Sequence, residues 1–268
     1  MAKPTAKPLL DALEPFPLMK RCFAHYVDWF VENVTDDWES YDLIDALRKD
    51  ESDRLSRLEE LLSNAREILG VSECEFTNKF GFTDDLLTKD PEKIHDVLAE
   101  PLFVVDLHCN GFSEIRKLPQ FIRRCSKKIP NSDFSALRSD HKFAIELKTI
   151  RTEARPKPTP GELLGDSMKP SWWSEMFWNN ALTKIEAKNR RVLRQLENTA
   201  KEYTCGKKML VLYTRRLGTS SLTERDEYSA QLARIMKKYP MLDCVVSKDY
   251  FGEVVFYPTL ETNEVQLS

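Results

Sequence analysis

Two acidic residues and one lysine lie within a segment that otherwise has the composition of two buried strands. The segment is PNSDFSALRSDHKFAIELKTI, residues 130–150, and the three charged residues are Asp133, Glu146 and Lys148. Burying a charge in a strand costs free energy unless the charge is paired or binds a metal ion. The three residues are therefore candidates for chemistry rather than for packing.

The spacing of these residues predicts that they share one face of a β-hairpin. With a turn centred on residues 139–140, each pair of opposite residues has numbers that sum to 279, so Asp133 lies opposite Glu146. Directly opposite residues of an antiparallel pair project from the same face. Lys148 is two residues beyond Glu146 and projects from that face as well.

Two neighbouring carboxylates repel each other unless a cation neutralises them. Hard oxygen donors at a strand edge suit Mg²⁺ or Mn²⁺, which retain several water ligands and take few protein carboxylates. A lysine beside such a pair can position or deprotonate a water molecule, or stabilise negative charge that develops on a phosphate. The pattern predicts metal-assisted hydrolysis, with Asp133 and Glu146 as metal ligands and Lys148 in one of these assisting roles.

The elements around the hairpin predict an α/β fold with a mixed central sheet flanked by helices. Strand-like runs occur at FSEIRKL (112–118), Phe134–Leu137, Phe143–Ile150, KMLVLY (208–213), DCVVS (243–247) and EVVFYP (253–258). Helical patterns run from about Asn180 to Tyr203 and from about Thr223 to Lys238. Strands that alternate with helices indicate a sheet covered by helices.

The N-terminal part has helical periodicity and predicts a separate helical region over residues 1–88, with a second domain over 89–268. Apolar residues recur at helical spacing in two stripes, Met19, Cys22, Phe23, Tyr26 and Phe30, and Leu55, Leu58, Leu62, Ala65 and Leu69. Gly70 follows the second stripe as a C-cap, and Val71–Asp90 is expected to be a connection.

A further helix is predicted between this connection and the first strand. Asp90 and Pro91 form an N-cap followed by proline at the first helical position, and Asn110-Gly111 ends the pattern. Pro101 is expected to kink or split this helix.

The hairpin and its neighbours resemble the PD-(D/E)xK nuclease superfamily, whose fold is that of restriction endonucleases. In that superfamily an acid begins one hairpin strand and acid-x-lysine lies on the next, which here are Asp133 and Glu146-Leu147-Lys148. Three acid-x-lysine triplets occur in the chain, and only this one lies in an apolar strand, FAIELKTI. The resemblance covers about residues 90–213 and implies a divalent-metal-dependent nuclease that acts on DNA.

The resemblance also implies an acid on the helix before the hairpin and a glutamine on the helix after it. Glu100 is the first candidate for the acid, as a second-metal or outer ligand, and Asp106 and Glu114 are alternatives. Gln195 matches the glutamine and is expected to orient the phosphate or the site. The chain departs from the family in that two residues separate Pro130 from Asp133.

Charge is unevenly distributed along the chain. Residues 28–67 carry 13 acids and 5 bases, whereas residues 114–128 carry 6 bases and 1 acid, and residues 184–194 carry 5 bases and 1 acid. Basic segments in a chain of net charge −3 mark either an anion-binding face or solvated surface.

The helix after the hairpin carries a stripe of bases beside its apolar stripe. Lys184, Lys188 and Arg191 lie on it, together with Gln195, about 90° from Ile185, Val192, Leu196 and Tyr203. These bases are predicted to contact nucleic-acid phosphates, and a solvated helix edge is the alternative. The aromatic residues Trp172, Trp173, Phe177 and Trp178 are candidates for base stacking or for a local apolar cluster.

Bulk properties exclude several classes of protein. The 268-residue chain has no apolar run long enough for a transmembrane helix, and its first residues lack a signal-peptide core. Six scattered cysteines without a CxxC motif predict thiols in a reducing cytoplasm. The helical N-terminal region is expected to serve targeting, dimerisation or a protein partner. The alternative to an active nuclease is a catalytically silent nuclease-like fold that binds nucleic acid or serves assembly.

Overall fold

The structure is a computed structural model, and it describes residues 6–34, 42–82, 93–124, 127–150, 171–214, 222–249 and 254–258. The chain divides into two compact units, Met1–Gly111 and Phe112–Ser268. The predicted domain boundary between residues 88 and 89 stays a prediction. The helix Lys93–Cys109 belongs to the first unit, which ends at Gly111.

The first unit is helical throughout its described residues. Its helices are α1 (Lys7–Ala12), α2 (Pro17–Asn33), α3 (Asp42–Arg48), α4 (Ser52–Leu69), α5 (Glu73–Phe80) and α6 (Lys93–Cys109). The predicted apolar stripes of α2 and α4 are buried, except for the half-buried Leu69. Gly70 ends α4 with φ +62°, a left-handed conformation that glycine adopts without steric cost.

One expectation for the first unit is corrected. The segment predicted as a connection contains α5, whose N-cap Ser72 accepts a hydrogen bond from the Glu75 N–H. Pro101 lies inside α6 without splitting it, because the helix runs from Lys93 to Cys109, and the alternative of a kink stays a prediction. The predicted cap at residues 90–91 lies outside the described residues.

The second unit is built around a mixed sheet, as the sequence predicts. Its strands are β1 (Ser113–Lys117), β2 (Phe121–Arg124), β3 (Lys127–Pro130), β4 (Phe134–Arg138), β5 (His141–Ile150), β6 (Lys207–Thr214), β7 (Cys244–Asp249) and β8 (Val254–Tyr257), and its helices are α7 (Ser171–Glu202) and α8 (Leu222–Lys238). Six strands form one sheet in the order β1-β4-β5-β6-β7-β8. The β5–β6 and β6–β7 pairs are parallel and the others antiparallel.

Helices α7 and α8 connect the parallel strands and pack on one face of the sheet. Ile185, Val192 and Leu196 of α7 share a core with Ala144 and with residues of β6, α8 and β7. Because side chains alternate along a strand, Glu146 and Lys148 project from the same face of β5 as Ala144. The carboxylate of the candidate site therefore lies on the helix-covered face.

One boundary and one hairpin differ from expectation in the second unit. Helix α7 begins at Ser171, nine residues before the predicted start, so the four aromatic residues at 172–178 are helical in backbone. Strands β2 and β3 form a separate two-stranded hairpin that the sequence analysis did not predict. Residues 151–170, the rest of the predicted excursion, lie outside the described residues.

The described residues also bear on the cysteines and on membrane-spanning helices. The five described cysteines are all free thiols; Cys22, Cys205 and Cys244 are buried, whereas Cys74 and Cys109 are exposed. Among the described helices, none combines the length and the apolar character needed to cross a bilayer.

Candidate functional site

The hairpin β4–β5 has the register that the sequence predicts. Phe134 pairs with Ile145, and the pairing continues to Arg138 and His141 at the turn, so partner numbers sum to 279. Extended by one residue, this register sets Asp133 opposite Glu146. The Oδ2 atom of Asp133 accepts a hydrogen bond of 2.8 Å from the N–H of Leu147, the residue after Glu146.

Glu146 is a fully buried carboxylate, with 0% exposure. Its Oε1 forms an ion pair with the Lys148 ammonium. Among the described residues its Oε2 accepts no hydrogen bond. Such an arrangement is costly for folding, because a buried carboxylate normally has its oxygens satisfied.

The environment of Glu146 strongly favours its protonated form. Burial, followed by the negative charge of Asp133, raises the pKa of Glu146 to about 8, while Lys148 and Lys117 act in the opposite direction. Glu146 therefore keeps its proton to a higher pH than an ordinary carboxyl group does. A metal ligand must be deprotonated, so a cation bound here would displace any proton that Glu146 holds.

Lys117, at the end of β1, supplies a second positive charge at the site. Its ammonium lies 3.6 Å from Asp133 Oδ1 and 4.9 Å from the centre of the Phe134 ring. The sequence analysis did not select Lys117. Its strand pairs with β4 across the inserted hairpin β2–β3, so its place beside Asp133 depends on a long-range pairing.

Gln195, predicted to orient the phosphate or the site, contacts the loop that leads into β4. Its side-chain amide donates a hydrogen bond of 2.7 Å to the backbone carbonyl of Asn131. Asn198, one helical turn later, donates to the carbonyl of Pro130 at 3.2 Å. Both contacts lie just before Asp133, so α7 holds the loop from which the acid projects.

Thr199 completes this contact between α7 and the loop, and the sequence analysis did not select it. Its hydroxyl accepts a 2.7 Å hydrogen bond from the Ser132 N–H and donates to Asn131 Oδ1. Asn131 Nδ2 in turn donates to the Pro119 carbonyl at 3.0 Å and to the Tyr203 hydroxyl at 3.3 Å. Satisfied buried networks of this kind rigidify the backbone that carries them.

The residues present fit a divalent cation in part. Asp133, which directly precedes β4, and Glu146, on β5, provide two carboxylates, and Oε2 of Glu146 is buried without a hydrogen bond among the described residues. Mg²⁺ is commonly bound through one or two carboxylates plus water and substrate phosphate. Within the described ranges no group of three or more His, Cys, Asp or Glu residues is arranged to hold a metal ion.

The three candidates for the helix acid lie in different places. Glu100 and Asp106 are on α6, in the first unit, and their predicted role beside Asp133 stays a prediction. Glu114 is on β1 in the second unit, where it is exposed and forms an ion pair of 3.7 Å with Arg116.

The predicted phosphate-binding bases lie on α7. Lys184 and Lys188 are exposed, and Arg191 is half-buried. Lys188 and Arg190 have positive φ angles, +50° and +57°, and the Lys188 carbonyl accepts a hydrogen bond from Arg194. The helix therefore does not turn by a regular 100° per residue through residues 188–190. Ile185, before this irregularity, and Val192, after it, are both in the core.

Comparison with known proteins adds no relative. No protein-family model, no curated protein and no solved structure matches this chain.

Proposed function

We propose that the protein is a divalent-metal-dependent nuclease that hydrolyses phosphodiester bonds, with DNA as the favoured substrate and a restriction-endonuclease-like second unit. The observation that carries the proposal is the fully buried Glu146 beside Asp133 and Lys148. A chain that kept these groups for stability alone would gain from an apolar residue at position 146. A bound cation would neutralise the acids and use the Glu146 oxygen that lacks a hydrogen bond.

The roles of the chain's own residues follow from their contacts. Asp133 and Glu146 would hold Mg²⁺ or Mn²⁺, which supplies Lewis-acid charge to a phosphodiester. Lys148, 28% exposed and paired with Glu146, has an ammonium that can assist the attacking water or stabilise charge on the phosphate. Lys117 balances the charge of Asp133. Gln195 is a positioning residue, because it contacts the loop before Asp133.

The first experiment incubates the full chain with supercoiled plasmid or with single-stranded DNA, in Mg²⁺ or Mn²⁺. Parallel samples contain EDTA or the Lys148→Ala variant. Cleavage that requires metal and is lost in both parallel samples would support the proposal. Cleavage that persists in the Lys148→Ala variant at the same rate would contradict the assigned site.

The absence of cleavage with every metal and substrate would favour the alternative, a nuclease-like fold that binds nucleic acid without cutting it. Thermal unfolding separates the two functions, because a cation that binds the folded state raises the melting temperature in a saturable way. A silent fold would show no saturable effect of Mg²⁺ or Mn²⁺.

A further inference from the structure

We propose that the separate hairpin β2–β3, with strands Phe121–Arg124 and Lys127–Pro130, is a nucleic-acid-binding arm that contacts the phosphate backbone next to the candidate site. We call it the basic hairpin. The proposal deepens the proposed function, since it concerns how that site would hold its substrate, and it also applies if the fold binds nucleic acid without cutting it.

The register of the basic hairpin brings like charges together. Arg123 pairs with Lys128, and Arg124 pairs with Lys127. Directly opposite residues of like charge destabilise an antiparallel pair. Two consecutive base–base pairs therefore work against the stability of a two-stranded element that is marginal by itself. The phosphates of a polyanion bound along these pairs would offset the repulsion between the basic residues, because each base would attract a negative charge.

The surface of the hairpin suits a nucleic acid. Lys127 and Lys128 are exposed. Phe121 is 39% exposed, and the Lys128 ammonium lies 5.9 Å from the centre of its ring. Phosphates contact ammonium groups, and an exposed aromatic ring offers a surface on which an unpaired base can stack.

The base of the hairpin is joined to the candidate site by hydrogen bonds. Asn131 follows β3 directly, and its N–H donates to the Gln120 carbonyl at 3.0 Å. The Leu118 N–H donates to the Asp133 carbonyl at 2.9 Å, so the segment between β1 and β2 contacts the backbone of the acid of the site. Thr199 of α7 holds Asn131 from the other side. The hydrogen bonds of Leu118, Asn131 and Thr199 therefore join the basic hairpin to the segment that carries Asp133.

The test measures binding without cleavage. The full chain is titrated, in EDTA, into a fluorescein-labelled 20-base-pair duplex and into the matching single strand, and anisotropy is recorded at several salt concentrations. The variant Lys127→Ala/Lys128→Ala is compared with Lys201→Ala/Lys237→Ala, which removes the same charge from exposed positions on α7 and α8.

We expect the hairpin variant to raise the Kd about tenfold and to reduce the slope of log K against log salt by about two, one for each lost phosphate contact. The α7/α8 control should leave both quantities close to those of the unchanged chain. The Lys127→Arg/Lys128→Arg variant should retain affinity because it retains the charge. Melting temperatures should be equal or slightly higher in the alanine hairpin variant, since two repulsive pairs are removed.

An unchanged Kd in the hairpin variant, or an equal loss in the α7/α8 control, would overturn the proposal. A larger effect on the single strand than on the duplex, removed by Phe121→Ala, would assign base stacking to the arm as well. Failure of the nuclease proposal is a separate result, because it would appear as absent cleavage while this binding measurement is performed without metal.

Discussion

The two hairpins of the second unit each set residues of like charge opposite each other, one in the interior and the other at the surface. In β4–β5 the pair is acidic, Asp133 and Glu146, and Glu146 is fully buried. In β2–β3 the pairs are basic, and the lysines at 127 and 128 are exposed. Glu146 of the first hairpin lies on the helix-covered face of the sheet, whereas Lys127 and Lys128 of the second hairpin are exposed to solvent.

Burial decides what these charges can do. In the low-dielectric interior the acidic pair shifts the pKa of Glu146 to about 8, and only a cation or a proton relieves the repulsion. The exposed Lys127 and Lys128 are screened by water and salt, so each contributes a small, salt-dependent attraction to an anion. The buried Glu146 beside Asp133 therefore suits a specific metal ion, and the exposed lysines suit a long polyanion.

The largest expected effect comes from removing Asp133, a proposed metal ligand. We expect Asp133→Ala to lower metal-dependent cleavage by a thousandfold or more, since Lewis-acid stabilisation contributes several kcal/mol, with ~1.4 kcal/mol for each factor of ten. Cleavage rates on plasmid measure it, and circular dichroism checks that folding is retained. Asp140→Ala, in the exposed turn of the same hairpin, is the control and should retain activity. Full activity in Asp133→Ala would contradict the metal assignment.

The second prediction concerns the stability of the metal-free protein against pH. Because the pKa of Glu146 is raised in the folded state to about 8, from 4.5, the folded state binds the proton more tightly. The stabilisation is complete below pH 4.5 and is lost as the pH rises to about 8, by roughly 3 to 5 kcal/mol.

Glu146→Gln should remove this dependence, since glutamine resembles the protonated acid. In EDTA at pH 8.5 the variant should unfold at a temperature several degrees above that of the unchanged chain, because each kcal/mol moves the midpoint by about 2–4 °C. Urea unfolding across the pH range measures the difference. Glu197→Gln, exposed on α7, is the matched control and should keep the original pH profile. A Glu146→Gln variant with that same profile would exclude a buried titrating acid.

A smaller effect is expected from the network that connects the two hairpins. Thr199→Val leaves the Ser132 N–H and Asn131 Oδ1 without their partner, which should cost about 1–3 kcal/mol of unfolding free energy. Metal affinity or cleavage should fall about 10- to 100-fold, as for other residues that orient a metal ligand, while binding to DNA in EDTA is unchanged.

Thr199→Ser should restore most of the metal affinity, because it restores the hydroxyl. Thr183→Val is the control on the same helix, where an exposed hydroxyl bonds only the Asn179 carbonyl in the described contacts. Equal losses of metal affinity in the two valine variants would argue against a positioning role for Thr199.

The smallest expected effect is on the exposed hairpin. Lys128→Glu sets an acid opposite Arg123 and should raise the unfolding free energy by up to about 1 kcal/mol while weakening DNA binding. Differential scanning fluorimetry and anisotropy measure the two quantities together. Lys237→Glu, on α8, is the control for the change of charge. Stability and affinity that fall together in Lys128→Glu would indicate a structural role for the lysine.

The local parts of the fold were predictable because their signals are local. Alternation of apolar residues identifies β5, and the turn at residues 139–140 fixes its register against β4. Gly70 marks the end of α4. The hairpin β2–β3 was not predicted, because its strands carry consecutive basic residues in place of an alternating apolar pattern. Helix α5 was not predicted either, although Ser72 and Glu75 have the spacing of a capping box.

The sequence by itself determined the register of the β4–β5 hairpin, with Glu146 and Lys148 on one face of β5, because strand periodicity and a two-residue turn leave one register. Only the tertiary structure decided how deeply Glu146 is buried, that Lys117 stands beside Asp133, and that Thr199 and Asn131 hold the loop between the hairpins. Those contacts join residues up to 68 positions apart, and their formation depends on packing α7 against the sheet, which no local pattern encodes.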